Sequence, residues 1–370
     1  MLRVSKALAV CGWLAAVGCG STGVPPSSGA PAAPVAPDCR LASSVGDVSA
    51  VLRGSGELVI VGGDIDLLIS GDLGRSWRRE PLPLVCGWPD LTEIDGRLVV
   101  SCSERRPPSR LLVIAELDDG GWSTPMEVDA TDERFIDTDL QVSAAGEVLL
   151  FATHIDRPGD LDRAVYTVRL YRSAGIGAPW SAGETVVVGR RGEHVEDTRS
   201  VTLDDGSILV AYERERAEGR ASRIVQLRST DDGRSWSKPE VVWRGGDLEP
   251  GGFVGFADGE LWLVASSDES AGGGSYDRAI ILARSSSDGG RSWSEPRVLV
   301  DREDQISFGG VALPDGRVLL PSLRFYSQRA KRSLSLYAVD RSGAGGAVCA
   351  SPPLSRRDFE GDLRDQFSIR

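Results

Sequence analysis

The sequence predicts an all-β protein, a six-bladed β-propeller with four antiparallel strands in each blade. Two repeats carry this prediction. The octapeptide pattern S-x-D-x-G-x-x-W occurs intact at 70–77, 229–236 and 286–293. A glycine, one further residue and an apolar run recur six times, beginning at Gly56, Gly96, Gly146, Gly206, Gly259 and Gly316. Glycine turns between β-type segments are typical of hairpins, so each unit predicts a four-stranded meander, and six meanders predict a propeller.

The octapeptide is interpreted as a structural turn. Glycine supplies a positive φ, the aspartate can accept backbone N–H bonds inside the turn, and the tryptophan covers the turn with an apolar face. Degenerate copies end at Trp122 and Trp180, which makes the successive tryptophan spacings 45, 58, 56 and 57 residues. The residues expected to be structural are Asp72, Trp77, Asp231, Trp236, Asp288 and Trp293.

The composition excludes several classes of function. The net charge is -12, from 54 acidic and 42 basic residues, and no basic run occurs, so a nucleic-acid partner is not expected. The chain has only two histidines, His154 and His194, which argues against histidine metal sites and Ser-His-Asp triads. We therefore expect no metal and no cofactor, and chemistry that depends on carboxylates, arginine and tyrosine.

The amino-terminal segment is predicted to be an export signal. Basic Arg3 and Lys6 precede an apolar stretch of 11 residues, 7–17, which is too short to span a bilayer. Small residues then lead to Cys19, as in a bacterial lipoprotein signal, which implies removal of residues 1–18 and lipid on Cys19. An ordinary secretory signal is the alternative. The lipoprotein interpretation places the protein at the bacterial cell envelope, outside the cytoplasm, on the outer membrane or cell surface.

The remaining chain divides by composition. Residues 19–38 are rich in Pro, Gly, Ala and Ser and are expected to form a tether. Residues 39–350 contain the repeats and are expected to form the propeller, and residues 351–370 form a polar tail. The membrane is expected to contact the protein only through the lipid, and the propeller is expected to be a monomer.

Four cysteines follow Cys19, an even set in an oxidising compartment, which suggests two disulfides. Three connectivities are possible, and four free thiols are the alternative. Cys39 and Cys349 bracket the globular region, whereas Cys86 and Cys102 are 16 residues apart across a hairpin-like stretch. We therefore favour the pairs Cys39–Cys349 and Cys86–Cys102.

The octapeptide is similar to the Asp-box, also called the bacterial neuraminidase repeat, and six blades that carry it resemble the sialidase fold over residues 45–345. The hairpin at 203–210, with Glu196 and Asp197 before it and Arg214 after it, is similar to a sialidase segment in which a Glu precedes an L-x-D-G-x-L hairpin and an Arg follows. Sialidases also carry a leading arginine in an F/Y-R-I-P motif, and no such motif occurs here. Asp-boxes also occur in propellers that are not enzymes.

The position of the site follows from the meander itself. Hairpin glycines and octapeptides lie at one end of each blade, so the site is expected at the other end, where first strands begin and second strands end. The resemblance assigns roles there: Tyr326 as nucleophile, Glu196 as the base that takes its proton, and Asp139 or Asp137 as the acid. A substrate carboxylate would be held by Arg324 together with Arg199 or Arg214. Asp139 with Glu196 or Glu249 is the alternative, a two-carboxylate glycosidase.

These observations lead to an envelope-anchored, sialidase-like propeller that acts on or binds glycans, as an exo-glycosidase of the exo-α-sialidase type. A non-catalytic propeller that binds glycan or protein is one alternative, and an assembly or scaffold factor is another. The fold by itself does not choose among them.

We predict that Cys39 and Cys349 are joined in the oxidised protein, because a link between the two ends of the repeat region fastens the first blade to the last. In the chain-entropy model such a link contributes roughly 4 to 5 kcal/mol to stability. Peptide mapping without reductant should recover the Cys39–Cys349 peptide together with the Cys86–Cys102 peptide. A Cys39–Cys86 peptide would rule this connectivity out.

Overall fold

The computed structural model describes residues 48–62, 66–84, 86–216, 220–268, 279–301, 305–307, 309–325 and 332–350. Cys19, Cys39 and Tyr326 lie outside the described residues, and so do the predicted signal, tether and polar tail. Of Arg324 and Cys349 only the backbone is described.

The described residues form six antiparallel sheets, one for each predicted blade, which confirms the all-β propeller. Blade 1 consists of β1 (Val48–Leu52), β2 (Leu58–Gly62), β3 (Asp66–Ser70) and β4 (Arg78–Pro81). Blade 2 consists of β5 (Gly87–Ile94), β6 (Arg97–Ser103), β7 (Ser109–Ala115) and β8 (Met126–Thr131). Blade 3 consists of β9 (Arg134–Val142), β10 (Val148–Ile155), β11 (Tyr166–Ser173) and β12 (Glu184–Val188).

The second half of the chain repeats this order, with the first strand of the last blade in two pieces. Blade 4 consists of β13 (Glu193–Thr202), β14 (Ile208–Arg216), β15 (Arg220–Ser229) and β16 (Glu240–Arg244). Blade 5 consists of β17 (Asp247–Gly255), β18 (Leu261–Asp268), β19 (Ala279–Ser286) and β20 (Arg297–Val300). Blade 6 consists of β21 (Gln305–Ser307), β22 (Val311–Ala312), β23 (Val318–Phe325), β24 (Arg332–Val339) and β25 (Gly345–Ala350).

The first strand of every blade lies at the axis of the ring, where it contacts the first strands of its neighbours. β1 also contacts β22 and β23, so the last blade meets the first. All six hairpin glycines that follow the first strands have φ between 78° and 88°. This is the left-handed conformation that glycine adopts without steric cost, and it confirms the hairpins predicted from the sequence.

The core consists of six apolar clusters, one between each pair of neighbouring blades. In blade 3, Leu149 and Phe151 pack toward blade 4, whereas Val148 and Leu150 pack toward blade 2. Both faces of the strand are therefore buried, which is why its sequence is continuously apolar rather than alternating. The cluster between blades 6 and 1 joins Leu58 and Ile60 to Leu319, Leu323 and Leu334, so the ring closes by apolar packing.

The three intact octapeptides form the same turn. In the copy of blade 4, the Asp231 carboxylate accepts hydrogen bonds from the Ser235 N–H at 2.8 Å, the Ser235 hydroxyl at 2.6 Å and the Ser229 hydroxyl at 2.8 Å. These hydrogen bonds lower the pKa of Asp231 to about 2. Asp232 and Gly233 both have positive φ, as the pattern predicts for its glycine.

Each of these turns also fastens its blade to the one before it. Arg172 of blade 3 donates to the carbonyl of Asp232 at 2.7 Å, and the Trp236 ring packs edge-on against Phe151, with ring centres 6.0 Å apart. Arg228 of blade 4 donates in the same way to the Gly289 carbonyl in the turn of blade 5. The octapeptides are therefore structural links between blades.

Cys86 and Cys102 form a disulfide within blade 2, with Cα atoms 5.8 Å apart. This is the shorter of the two pairs favoured from the sequence. Cys102 lies in β6, while Cys86 immediately precedes β5, so the bond joins the first and second strands of this blade. Among the described residues there is no helix long and apolar enough to cross a membrane.

Replacement of Trp236 by Ala is expected to lower the free energy of unfolding by about 3 kcal/mol, because the half-buried ring is lost from the interface between blades 3 and 4. Urea denaturation followed by circular dichroism measures this loss. Val298→Ala is the matched control, since Val298 is 47% exposed and should change stability by less than about 0.5 kcal/mol. Equal stability of the two variants would contradict a structural role for the tryptophan.

Candidate functional site

The inner strands of blades 2, 3, 4 and 5 each contain a β-bulge, and the four bulges occupy equivalent positions. The pairing register shifts between Gly87 and Asp90 in β5, and equivalent shifts occur in β9, β13 and β17. Trp88, Asp137 and Asp197 have φ of 49°, 51° and 53° at these bulges. Positive φ is uncommon for residues other than glycine, and bulges that re-aim side chains are frequent beside active sites.

The sequence at three of these bulges follows one pattern. Trp88-Pro-Asp90, Asp137-Thr-Asp139 and Asp197-Thr-Arg199 place a positive-φ residue two positions before a charged residue. Hydrogen bonds between blades fix the bulges: the Asp90 carboxylate accepts from the Ser49 hydroxyl and from the Leu140 N–H, both at 2.6 Å. The Asp137 carboxylate accepts from the Asp197 N–H at 2.9 Å, and Asp139 accepts from the Ser200 hydroxyl.

Five carboxyl groups thereby meet near the axis, and we call them the axial carboxyl cluster. Asp137 and Asp139 are 5% and 6% exposed. Burial raises their pKa values well above the usual range, and the neighbouring carboxylates raise them further. Carboxyl groups that interact in this way lose their protons as a coupled set rather than one by one. The members of the axial carboxyl cluster are Asp90, Asp137, Asp139, Glu196 and Asp197.

Arg199 is the cation within the axial carboxyl cluster. Its Nε donates to the Gly251 carbonyl at 3.1 Å, and one terminal nitrogen donates to the Thr198 carbonyl at 3.0 Å. Burial by itself lowers the pKa of Arg199, but the four surrounding aspartates outweigh that effect, so the pKa is raised. Arg199 therefore stays charged and stabilises the ionised carboxylates around it.

Glu196 is a member of the cluster that a ligand can reach, because 35% of its side chain is exposed; Asp90 and Asp197 are partly exposed as well. Burial and the neighbouring Asp197 raise its pKa to about 7. The buried hydroxyl of Tyr166 lies beside Glu196, and burial together with this carboxylate raises the pKa of the tyrosine. The ring of His194 packs on Tyr166 with centres 4.9 Å apart. A carboxyl group with a pKa near 7 is suited to transfer a proton at neutral pH.

An arginine and an aromatic ring border this carboxyl group. The Arg134 guanidinium lies over the Trp88 ring at 4.9 Å from its centre, and Arg105 lies over the same ring at 5.6 Å. Burial and the charge of Arg105 lower the pKa of Arg134, while Glu196 and Asp137 act in the opposite direction. The Nε of Arg134 is buried without a hydrogen-bond partner among the described atoms.

The structure brings together some of the residues proposed from the sequence and separates others. Asp139, Glu196 and Arg199 all lie in the axial carboxyl cluster. Arg214 instead pairs with Glu193, with both of its nitrogen–oxygen contacts at 2.7 Å. The backbone of Arg324 pairs with Gln305 across β21 and β23. The ligand-binding roles of Arg214 and Arg324 and the catalytic role of Tyr326 stay predictions.

Tyr166, Arg134 and the bulges were not predicted from the sequence as parts of the site. Tyr166 begins a third strand, whereas the meander predicts site residues only at the starts of first strands and the ends of second strands. Arg134 begins the first strand of blade 3, which is one of the positions where the sequence predicts site residues. The pattern of Trp88-Pro-Asp90 and its two counterparts is visible in the sequence. The sequence does not show that these residues form bulges, because a bulge is defined by the pairing between strands.

A cavity of about 510 Å³ lies between blades 2 and 3 at the octapeptide end and is lined by Ile176, Trp180 and Met126. Its charged lining residues are already paired: Arg97 with Asp118, and Glu116 with Arg53. Asp137 and Asp139, whose pKa values are raised well above the usual range, and Glu196, with a pKa of about 7, lie in the axial carboxyl cluster instead, so we take that cluster as the candidate site. The described residues contain no group of three or more potential metal ligands.

The sequence matches the family model described as a BNR repeat-like domain over residues 110–345. No curated protein matches the sequence. The solved structures described next are similar to this chain at low identity, so the likeness concerns the fold alone.

Three such structures illustrate the similarity. A Hadza microbial sialidase has 16% identity and a TM-score of 0.54, over 79% of this chain and 65% of its own length. The α-L-arabinanase of Penicillium chrysogenum has 12% identity and a TM-score of 0.58, over 79% of this chain and 93% of the arabinanase. The α-L-arabinofuranosidase of Fusarium graminearum has 12% identity and a TM-score of 0.59, over 81% of this chain and 94% of the other. The chain thus spans less than two thirds of the sialidase's length.

Glu196→Gln is expected to gain stability relative to the wild type as the pH rises. The pKa of Glu196 is raised from 4.5 to about 7 in the folded state, so the wild type loses stability as the pH rises from 4.5 to 7, and the loss is complete above pH 7. We expect a relative gain on the order of 1 to 2 kcal/mol between pH 4.5 and pH 8, after allowance for solvent screening.

Urea denaturation of both proteins at pH 4.5, 6 and 8 measures this difference. Glu240→Gln, on the exposed outer strand β16, is the matched control. A stability difference for Glu196→Gln that stays constant from pH 4.5 to pH 8 would contradict the raised pKa.

Proposed function

Because this chain belongs to the family of BNR repeat-like domains, we propose that it is a glycoside hydrolase that binds and cleaves a glycan at the axial carboxyl cluster. The observation that carries the proposal is Glu196, a partly exposed carboxyl group with a pKa near 7 beside other carboxyl groups. Glycosidases require one carboxyl group that gives a proton to the leaving oxygen and a second group that acts on the anomeric carbon or on water.

Glu196 is the proposed proton donor. Its pKa of about 7 keeps a large protonated fraction at neutral pH, and its exposure allows contact with a glycosidic oxygen. Tyr166 is a positioning residue, because its side chain is fully buried and acts through Glu196. Trp88 and the guanidinium of Arg134 form the neighbouring wall, where a sugar ring and its hydroxyl groups would pack.

Two groups are candidates for the second role. Burial raises the pKa of Asp137, and the neighbouring Asp197 and Glu196 raise it further. Asp137 would act as the base once it is ionised, with Glu196 as the acid. Tyr326, proposed from the family resemblance, follows β23 and would act as a nucleophile in a sialidase-type mechanism, for which Glu196 would be the base.

A non-catalytic propeller that binds glycan or protein is the second candidate function. Its specific support is that Asp90, Asp137 and Asp139 each accept a hydrogen bond from the neighbouring blade. These carboxylates therefore have a structural use that requires no catalysis.

The proposal includes attachment of the protein to the bacterial cell envelope. It is supported by the basic residues, the short apolar stretch and Cys19 at the amino terminus. Export also fits the Cys86–Cys102 disulfide, since disulfides persist in oxidising compartments.

The function is tested with a panel of fluorogenic glycosides that includes an α-L-arabinofuranoside, a β-galactoside and an α-sialoside. On any substrate that is cleaved, Glu196→Gln is expected to lower kcat/KM by roughly 100-fold or more, because the proton transfer is lost. Glu240→Gln should leave turnover unchanged, and circular dichroism verifies that both variants fold. Full turnover by Glu196→Gln would exclude this residue as the proton donor.

Tyr326→Phe, measured on the same substrate, separates the two mechanisms. Loss of turnover with unchanged KM supports a tyrosine nucleophile, whereas unchanged turnover supports the pair of Glu196 and Asp137. A wild-type protein that binds glycans without cleaving any substrate of the panel would favour the binding function.

A further inference from the structure

The cavity between blades 2 and 3 lies where a link between neighbouring blades is missing. The guanidinium of Arg172 in blade 3 donates to a carbonyl in the turn of blade 4, and that of Arg228 in blade 4 donates to a carbonyl in the turn of blade 5. Blade 2 has an alanine, Ala115, at the corresponding position, and Ala115 lines the cavity. The side chain that fills this space between the other two pairs of blades is therefore absent here.

Backbone hydrogen bonds identify Ala115 as the counterpart of these arginines. The Ala115 carbonyl accepts from the Ser123 N–H at 2.9 Å, just as the Arg172 carbonyl accepts from the Ser181 N–H at 2.8 Å. The turn that faces Ala115, 173–180, is a degenerate octapeptide with Gly175 in place of the aspartate. The sequences on both sides of this interface thus depart from the repeat, and the cavity of about 510 Å³ is the result.

Trp180 has an unused hydrogen-bond donor at this cavity. Its side chain lines the cavity, and its Nε1 is buried without a hydrogen-bond partner among the described atoms. The corresponding nitrogen of Trp122 donates to the Glu80 carboxylate at 3.4 Å. That of Trp293 donates to the side-chain oxygen of Gln226 at 3.2 Å. A buried N–H without a partner is destabilising, so Trp180 favours an occupant that supplies an acceptor atom.

The rest of the lining favours an uncharged occupant. Apolar side chains form most of it, including those of Met126 and Ile176, and Leu117 at its edge is 40% exposed. The two charged side chains of the lining, Arg97 and Glu116, are already paired with other residues. A ligand charge taken from water into this cavity has no free charged partner there, whereas buried apolar ligand surface is stabilised.

We propose that this cavity is a second binding site, which takes an uncharged aromatic molecule with one acceptor oxygen that accepts from Trp180 Nε1. Its volume of about 510 Å³ is within the range of small-molecule pockets, roughly 300 to 1,000 Å³, which are mostly apolar with a few polar groups that orient the ligand. The indole of Trp180 and the thioether of Met126 both make favourable contacts with aromatic rings. The site is separate from the axial carboxyl cluster and does not depend on the proposed glycan function.

The test uses three naphthalene compounds: 2-acetonaphthone, 2-ethylnaphthalene and 2-naphthoate. The first two differ only in that a carbonyl replaces a methylene, and the third carries a negative charge. Each compound is titrated into the full chain with ¹⁵N-labelled indole nitrogens, and the Trp180 signal is identified by its loss in Trp180→Phe. We expect 2-acetonaphthone to bind and to shift this signal, and 2-naphthoate to bind at least 10-fold more weakly, because its charge is desolvated without a partner.

Ala115→Arg tests the place of binding. The new side chain is expected to fill the cavity as Arg172 and Arg228 fill the other interfaces, and to lower the affinity for 2-acetonaphthone 10-fold or more. Ala130→Arg is the matched control, since it adds the same side chain at an exposed position of β8 and should leave the affinity unchanged. Thermal unfolding verifies that both variants fold.

Trp180→Phe tests the hydrogen bond and provides a second readout if Ala115→Arg does not fold. Phenylalanine keeps an aromatic ring but has no N–H. The ratio of the affinity for 2-acetonaphthone to that for 2-ethylnaphthalene should therefore fall roughly 3- to 10-fold, which corresponds to the loss of one hydrogen bond.

Three results would overturn the inference. The first is the absence of saturable binding by both uncharged compounds, which would mean that the cavity holds only water. The second is binding that neither Ala115→Arg nor Trp180→Phe changes, and the third is equal affinity for 2-naphthoate. None of these results bears on the axial carboxyl cluster, because the glycoside panel tests that function separately.

Discussion

Burial of both faces of every blade is the constraint on which the rest of the structure depends. In β10, Leu149 and Phe151 belong to the cluster shared with blade 4, and Val148, Leu150 and Ala152 to the cluster shared with blade 2. A sheet with two apolar faces needs a neighbour on each side, and six such sheets satisfy one another only when the ring is closed. Closure is completed by the apolar contacts between blades 6 and 1, which makes that interface as important as any hydrogen-bonded pairing within a blade.

The electrostatics of the site follow from this closure. A closed ring places the first strands side by side at the axis, and the bulges at Trp88, Asp137 and Asp197 turn charged residues toward one another. Water is partly excluded there, so burial raises the pKa values of Asp137 and Asp139, and Arg199 offsets part of the cost. The raised pKa values of the carboxyl groups at the axis thus result from the packing of the apolar blades around them.

The octapeptide turns and the bulges at the axis have different roles in the propeller. At one end, the octapeptide turns repeat nearly identical hydrogen bonds, such as the Ser70 hydroxyl on Asp72 and the Ser286 hydroxyl on Asp288, both at 2.8 Å. At the bulges along the axis, equivalent positions carry different residues: Asp139 in blade 3 and Arg199 in blade 4. A rigid, repetitive scaffold that holds a variable polar face is a common basis for binding and catalysis.

The sequence by itself determined the fold, because the signals for it are local. The octapeptide and the glycine hairpins each specify a turn within a few residues, and their regular recurrence specifies six blades. The sequence also placed Asp139, Glu196 and Arg199 on the first strands of their blades, since strand order is local too. Only the tertiary structure decided which groups meet. Arg214 pairs with Glu193 of the adjacent strand, and Tyr166 of blade 3 lies beside Glu196 of blade 4. The distance between blades and the bulges that redirect single residues determine which side chains meet. Neither can be predicted from the repeat pattern of a single segment.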